Sequence, residues 1–163
     1  MRADAPRLRA GAPLAGILRA MRHLIPAFLG AVIAGCATAP LSTGEKHSCY
    51  HANEPVEVSI GYCEAVRVGD KLYVSGTVGA GEMPAAVRQA YSGLRKTLEA
   101  NGLTFANVVK ENVYTTDIDA FKKTGDIRKG FYGSNLPAAT WVEVRRLFLP
   151  QFVVEIEVVA EYR

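Results

Sequence analysis

Three cysteines, three histidines and a single tryptophan are few for 163 residues, and each shortage excludes something. His23 stands apart in an N-terminal apolar stretch, and His47 and His51 have only Cys49 between them, with no carboxylate at ligand spacing. That is no closed metal site, and a first strand with two surface histidines accounts for the pattern. No apolar run approaches the roughly 20 residues that span a bilayer. The basic pairs at Lys122 and Lys123 and at Arg145 and Arg146 read as solvated faces rather than a phosphate-tracking groove, so no nucleic-acid partner is expected. Gly76, Gly79 and Gly81 form no phosphate loop, because no Lys-Ser or Lys-Thr pair opens the following helix. Repeats and low-complexity tracts are also missing, and no cofactor is expected.

What is present begins with a leader. After Met21 come Arg22 and His23, an apolar run from Leu24 to Ala34, and then Gly35 and Cys36. A short basic start followed by an apolar run of this length is the order of a secretory signal. Ala34, Gly35 and Cys36 resemble a bacterial lipobox, which implies removal of residues 1–35 and diacylglyceryl modification of Cys36. A leader with an incidental cysteine is the alternative. Residues 1–20 read as an extended leader or as sequence ahead of a start at Met21. Ala37 after the cysteine, by resemblance to Gram-negative lipoproteins, implies a periplasm-facing protein held to the outer membrane by lipid. Residues 36–46 then form the lipidated cysteine and a Ser/Thr/Gly linker, and residues 47–163 the domain.

Removing the leader changes the charge. Residues 1–35 hold five of the 19 Lys and Arg and one of the 16 Asp and Glu, leaving 14 against 15 and a formal net charge of −1. The basic balance of the whole chain therefore belongs to the leader.

The domain reads as α+β. Strands are expected at Ser48–His51, at Ala65–Val68 and at Lys71–Ser75, the last two around a Gly69-Asp70 turn. Val87, Ala90, Tyr91, Leu94 and Leu98 recur at helical spacing, and Asn101-Gly102 supplies the stop. Val108–Thr115 is the next strand, with Asp119 expected to cap a second helix through Phe121, Ile127 and Phe131 to Gly133. Two β-branched runs close the chain, Pro137–Val144 and Val153–Ala160, and read as adjacent strands joined across Leu149-Pro150-Gln151. In the last, Glu155 and Glu157 share one face and Ile156 and Val158 the other. The core order is ββαβαββ, a mixed sheet with both helices on one face.

Several of these segments carry a resemblance. Pro137-Ala138-Ala139-Thr140 leading into Val142-Glu143-Val144, and Glu155-Ile156-Glu157-Val158-Val159-Ala160 near the end, resemble the closing strands of the Rid (reactive intermediate deaminase) family, also called YjgF-type or L-PSP endoribonuclease-like. Gly61-Tyr62-Cys63-Glu64-Ala65-Val66, Gly69–Gly76, Arg88–Gly102 and Val108-Val109-Lys110 with Asp117 and Phe121 match in the same order. The resemblance covers about Cys49 to Arg163 and implies a chorismate-mutase-like fold. It also implies a homotrimer with small-metabolite clefts between subunits, which would bury the helix-free sheet face.

In active relatives an arginine of Pro-Ala-Arg-Ser grips the carboxylate of a 2-imino acid, and a glutamate on the last strand orients the attacking water. Ala139 stands at the arginine position and Thr140 beside it; Glu155 stands at the glutamate position. Charge-assisted hydrogen bonds of a guanidinium are worth about 1.5–3 kcal/mol each, and alanine makes none. Glu155 is either the water-orienting residue or an outward residue of an alternating strand. Tyr62, Ser75 and Gly76 match cleft-lining positions. Trp141 either fills the cleft or offers a stacking surface. The segment Thr77–Val87 is shorter than the corresponding loop in arginine-bearing relatives.

Cys49 and Cys63 either pair in an oxidising compartment or leave Cys63 as a small buried residue, and no histidine partner for a catalytic thiol is evident near Cys63. The expected function is binding of a small metabolite in intersubunit clefts without assured catalysis. The alternative is imine or enamine hydrolysis by Glu155, with Arg145 or Arg128 replacing the missing grip. Ribonuclease activity fits the acidic domain poorly.

Overall fold

A computed structural model describes residues 47–163. The expected leader, Cys36 and the linker lie outside the described residues. Among the described residues no helix is long and apolar enough to cross a membrane.

A six-stranded sheet runs through the domain in the order β1-β2-β3-β6-β4-β5. Its strands are β1 (Ser48–Tyr50), β2 (Ala65–Val68), β3 (Lys71–Ala80), β4 (Val108–Thr115), β5 (Ala138–Glu143) and β6 (Phe152–Glu161). Pairing is antiparallel except between β4 and β5, which run parallel, so the sheet is mixed and the α+β architecture is as expected. The two closing strands are not neighbours in the sheet. β6 inserts between β3 and β4 and sends β5 to the edge, because a strand buried on its helix-facing side at Val154, Ile156, Val158 and Ala160 belongs at the centre.

The main helix, α2 (Met83–Ala100), begins earlier than its apolar spacing suggested, with Pro84 in its first turn. Its buried face is Met83, Ala86, Val87, Ala90, Tyr91, Leu94, Thr97 and Leu98. Burying each large apolar side chain of that face contributes about 1.5–3 kcal/mol. The helix lies close to the sheet because Gly79 and Gly93 have no side chains: a Cβ at Gly79 would strike the Ala86 backbone, and one at Gly93 would strike Thr77.

The second helix is broken in two. Asp117, not Asp119, caps α3 (Ile118–Lys122) by accepting from the Ala120 N–H at 2.8 Å, while Asp119 pairs at the surface with Lys122. Buried Thr124 turns its hydroxyl onto the Phe121 carbonyl, and α4 (Gly125–Tyr132) starts anew. A further helix, α1 (Glu54–Ile60), was not foreseen; it carries Pro55 in its first turn and is capped by Gly61 with φ 87°. β3 also continues past Ser75 to Ala80, so the supposed loop from Thr77 shrinks to Gly81 and Glu82.

Cys49 and Cys63 form a disulfide, with Cα atoms 5.6 Å apart, tying β1 to the segment that enters β2. That resolves the open alternative in favour of pairing.

Candidate functional site

The alternation of β6 directs Glu155 and Glu157 to the helix-free face, and the neighbours of each then decide its freedom. Glu157 is engaged: it accepts from the Asn112 side-chain amide at 2.7 Å and from the Tyr114 hydroxyl at 3.1 Å. The Glu155 carboxylate has no hydrogen-bond partner among the described residues. Burial, with the Glu157 charge adding to it, pushes the Glu155 carboxyl above its ordinary value.

Room for that carboxylate comes from β3. The register between β3 and β6 slips between Val74 and Thr77, a bulge at Ser75 and Gly76. The bulge is held by the Ser75 hydroxyl donating to the Cys63 carbonyl at 2.7 Å and by the Ser75 N–H donating to the Glu64 carbonyl at 2.9 Å. A Cβ on Gly76 would collide with the Glu155 carboxylate, so this glycine is what lets the side chain lie across the strand.

The result is a cleft of about 420 Å³ lined by Ile60, Tyr62, Ser75, Gly76, Phe148 and Glu155, among others. Its rim is apolar and open: Phe148 is 72% exposed and Ile60 57%. The structure therefore brings Tyr62, Ser75, Gly76 and Glu155 together in one cleft. Phe148 and its neighbour Leu149 were missed. Their signal was an apolar pair, beside Pro150, in a stretch otherwise read as turn.

Ala139, Thr140 and Trp141 do not reach this cleft. They sit on edge strand β5, separated from β6 by β4. Ala139 is exposed and Thr140 accepts from the Lys110 ammonium at 2.7 Å. Trp141 packs edge-on against Phe121, 5.3 Å between centroids, and donates to Glu111 at 3.2 Å. It is neither filling the cleft nor presenting a stacking face to it.

Arg128 is likewise unavailable as a substitute grip. Its Nε donates to Glu111 at 2.8 Å, and Glu111 is fully buried under the helices. The Tyr91 and Tyr132 hydroxyls donate to the same carboxylate at 2.8 and 2.7 Å, so four donors satisfy one buried charge. Sequence reasoning missed this cluster, since a lone Glu in a strand gives no hint that two helices will surround it. Arg145 is exposed on the β5–β6 connection, and no arginine lines the cleft among the described residues.

At the disulfide, His51 Nε2 lies 3.0 Å from Cys49 Sγ, so a histidine does stand beside the cysteine pair. The sequence read His51 as a surface histidine of the first strand; Glu57 of α1, a helix it did not foresee, is what holds the His51 ring, through Nδ1 at 2.8 Å.

The L-PSP endoribonuclease family model matches residues 52–162, most of the described domain. The chain belongs to this family, the one also named YjgF or Rid. A human 2-iminobutanoate/2-iminopropanoate deaminase is 34% identical over 109 residues, covering 61% of this chain and 78% of the relative. A deaminase of the same name from Dermatophagoides farinae is 30% identical over 95 residues, covering 53% of this chain and 74% of the relative. Among solved structures, a YjgF-family member from Mycobacterium tuberculosis superposes with a TM-score of 0.66 at 32% identity, covering 72% of this chain and all of that one. The family's chorismate-mutase-like fold is thus the fold of this domain.

Proposed function

We propose that this Rid-family protein binds a small metabolite in a cleft built on Glu155 and has lost efficient turnover of 2-imino acids. The observation that carries the proposal is the cleft itself: a free carboxylate over Gly76, an apolar rim of Ile60, Tyr62 and Phe148, and no arginine lining it among the described residues. An anionic 2-imino acid entering it would meet a carboxylate and no cation. A neutral or cationic ligand with an apolar body fits the same walls better.

The assembly is part of the proposal. Ala139 on edge strand β5 lies away from the chain's own Glu155, so the two positions meet only if one subunit's β5 borders another's cleft. Tyr73 and Val142 are exposed on the helix-free side, at 46% and 40%, apolar surface that a trimer would cover. The proposed location is periplasm-facing, anchored through lipid on Cys36, where 2-imino acids released in the cytoplasm would not be met.

The second reading is imine or enamine hydrolysis with Glu155 orienting water. The raised Glu155 pKa favours it, because burial and the Glu157 charge shift this carboxyl toward the range in which a carboxyl exchanges protons more readily as general acid and base. Arg145 is the remaining candidate grip.

The test is hydrolysis of 2-iminopropanoate, generated in place by an amino-acid oxidase, by the parent and by Ala139→Arg. Inactivity in the parent with activity gained in the mutant supports a cleft that lost its carboxylate grip. Activity in the parent that Glu155→Gln abolishes moves the hydrolase reading to first place.

A further inference from the structure

The cysteine pair has more around it than a structural crosslink requires. Cys49 Sγ, Cys63 Sγ and a ring nitrogen of His51 lie within 4.8 Å of one another, on a face where Cys49 is exposed and the other two half-buried. His51 is held from behind: its Nδ1 lies 2.8 Å from Oε2 of Glu57, a side chain only 3% exposed. Glu57 is itself fixed, accepting from the backbone N–H groups of Ala52, Asn53 and Glu64 at 3.0, 2.7 and 3.2 Å. An ionised carboxylate only accepts, so Nδ1 carries the hydrogen in this contact. The other ring nitrogen, Nε2, is the atom that faces the sulfur of Cys49, 3.0 Å away.

A histidine held by a buried carboxylate, with its other nitrogen beside Cys49 Sγ and within 4.8 Å of Cys63 Sγ, is the arrangement in which carboxylates orient metal-binding histidines. In the disulfide form the sulfurs are bonded to each other and offer no thiolate. We propose that reduction of Cys49–Cys63 converts this cluster into a two-thiolate, one-imidazole site for a thiophilic d10 cation, Zn²⁺ or Cu⁺, with Glu57 as the positioning residue.

The geometry asks for little movement. Thiolates on one tetrahedral zinc sit about 3.8 Å apart and a thiolate and imidazole nitrogen about 3.5 Å apart, given bond lengths of about 2.3 and 2.0 Å. Breaking the bond and parting the sulfurs by about 2 Å reaches the first, and the Cys49–His51 spacing is already near the second. A fourth position stays open toward solvent. The chemistry balances: a dithiol reductant supplies two electrons and two protons, the Cys49–Cys63 S–S bond breaks to two thiols, and the reductant becomes a disulfide. Cation binding then releases both thiol protons. Reoxidation would expel the cation, so uptake is coupled to redox state.

The test titrates Co²⁺, a spectroscopic stand-in for Zn²⁺, into the full chain before and after reduction by a water-soluble phosphine, which takes one oxygen from water as it becomes the phosphine oxide. The expected result is a thiolate-to-cobalt charge-transfer band in the reduced chain only, discharged by Zn²⁺. The band should persist in Cys36→Ala, which removes the one other thiol. Affinity should fall about tenfold or more in Glu57→Gln, the range seen when such carboxylates are changed elsewhere, and further in His51→Ala and Cys63→Ser. Far-UV circular dichroism on each variant separates loss of a ligand from loss of fold. No band in the reduced chain, a band lost in Cys36→Ala, or unchanged affinity in folded His51→Ala would overturn the site.

Discussion

The Glu155 carboxylate lies across Gly76, so close that a single added methyl on the glycine would occupy its space. The bulge in β3 and the position of the free carboxylate are therefore one feature: a side chain at position 76 would force the Glu155 carboxylate to move.

Gly76→Ala should destabilise the domain by about 1–3 kcal/mol, the usual cost of overpacking, measured as a lower urea midpoint. The same substitution in a Glu155→Ala background should cost clearly less, because the colliding group is gone. Additive effects in that cycle would show that the collision does not set the side chain's position.

Glu155 and Glu57 should give stability opposite dependences on pH. The folded-state pKa of Glu155 is raised above 4.5, so the native state holds its proton longer than the unfolded one. Stability from this group is full below 4.5 and falls as pH rises through the raised value. Glu155→Gln should remove that loss and raise the urea midpoint at pH 7 relative to pH 4.

Burial alone would raise Glu57, but the Asn53 N–H, with His51, Glu64 and Ala52, outweighs it and lowers the pKa below 4.5. Its contribution is present above 4.5 and lost as pH falls through the lowered value. Glu57→Gln should therefore lose stability at neutral pH and flatten the acid limb of the unfolding profile. A profile identical to the parent's would contradict the assigned hydrogen bonds.

Arg128→Met should cost about 3–5 kcal/mol, since it leaves Glu111 charged, buried and without its cationic partner. Thermal unfolding of the variant measures this. A shift no larger than that of a surface substitution such as Lys122→Met would show that Tyr91, Tyr132 and Trp141 suffice to hold the charge.

Labelled palmitate should enter the native protein in bacterial cells and not its Cys36→Ala variant. Incorporation unchanged in the variant would remove the lipid anchor from the proposed location.

Much of the fold was legible because the signals were local. The helical spacing of Val87, Tyr91, Leu94 and Leu98 and the β-branched run of β6 each name an element from nearest neighbours alone. The Gly69-Asp70 turn lies where the hairpin of β2 and β3 requires it, with Gly69 at φ 59°. What failed locally was capping: Asp117 and Asp119 are both credible caps, and only the break at Thr124 and the docking of Phe121 favour the first.

The sequence by itself determined most of the elements, α1 and the break at Thr124 excepted, the facing of Glu155 away from Ile156, and the family, because periodicity and motif order are properties of the chain. Tertiary structure decided where those elements went. The placement of β6 between β3 and β4 follows from burial of its apolar side, and it parts Glu155 from Ala139 by two strand pairings. Packing also decided that Arg128 and Trp141 serve a buried carboxylate, that Glu155 is free where Glu157 is engaged, and that His51 faces a disulfide. Each depends on groups far apart in sequence, where a charge's partner is set by which surfaces exclude water together.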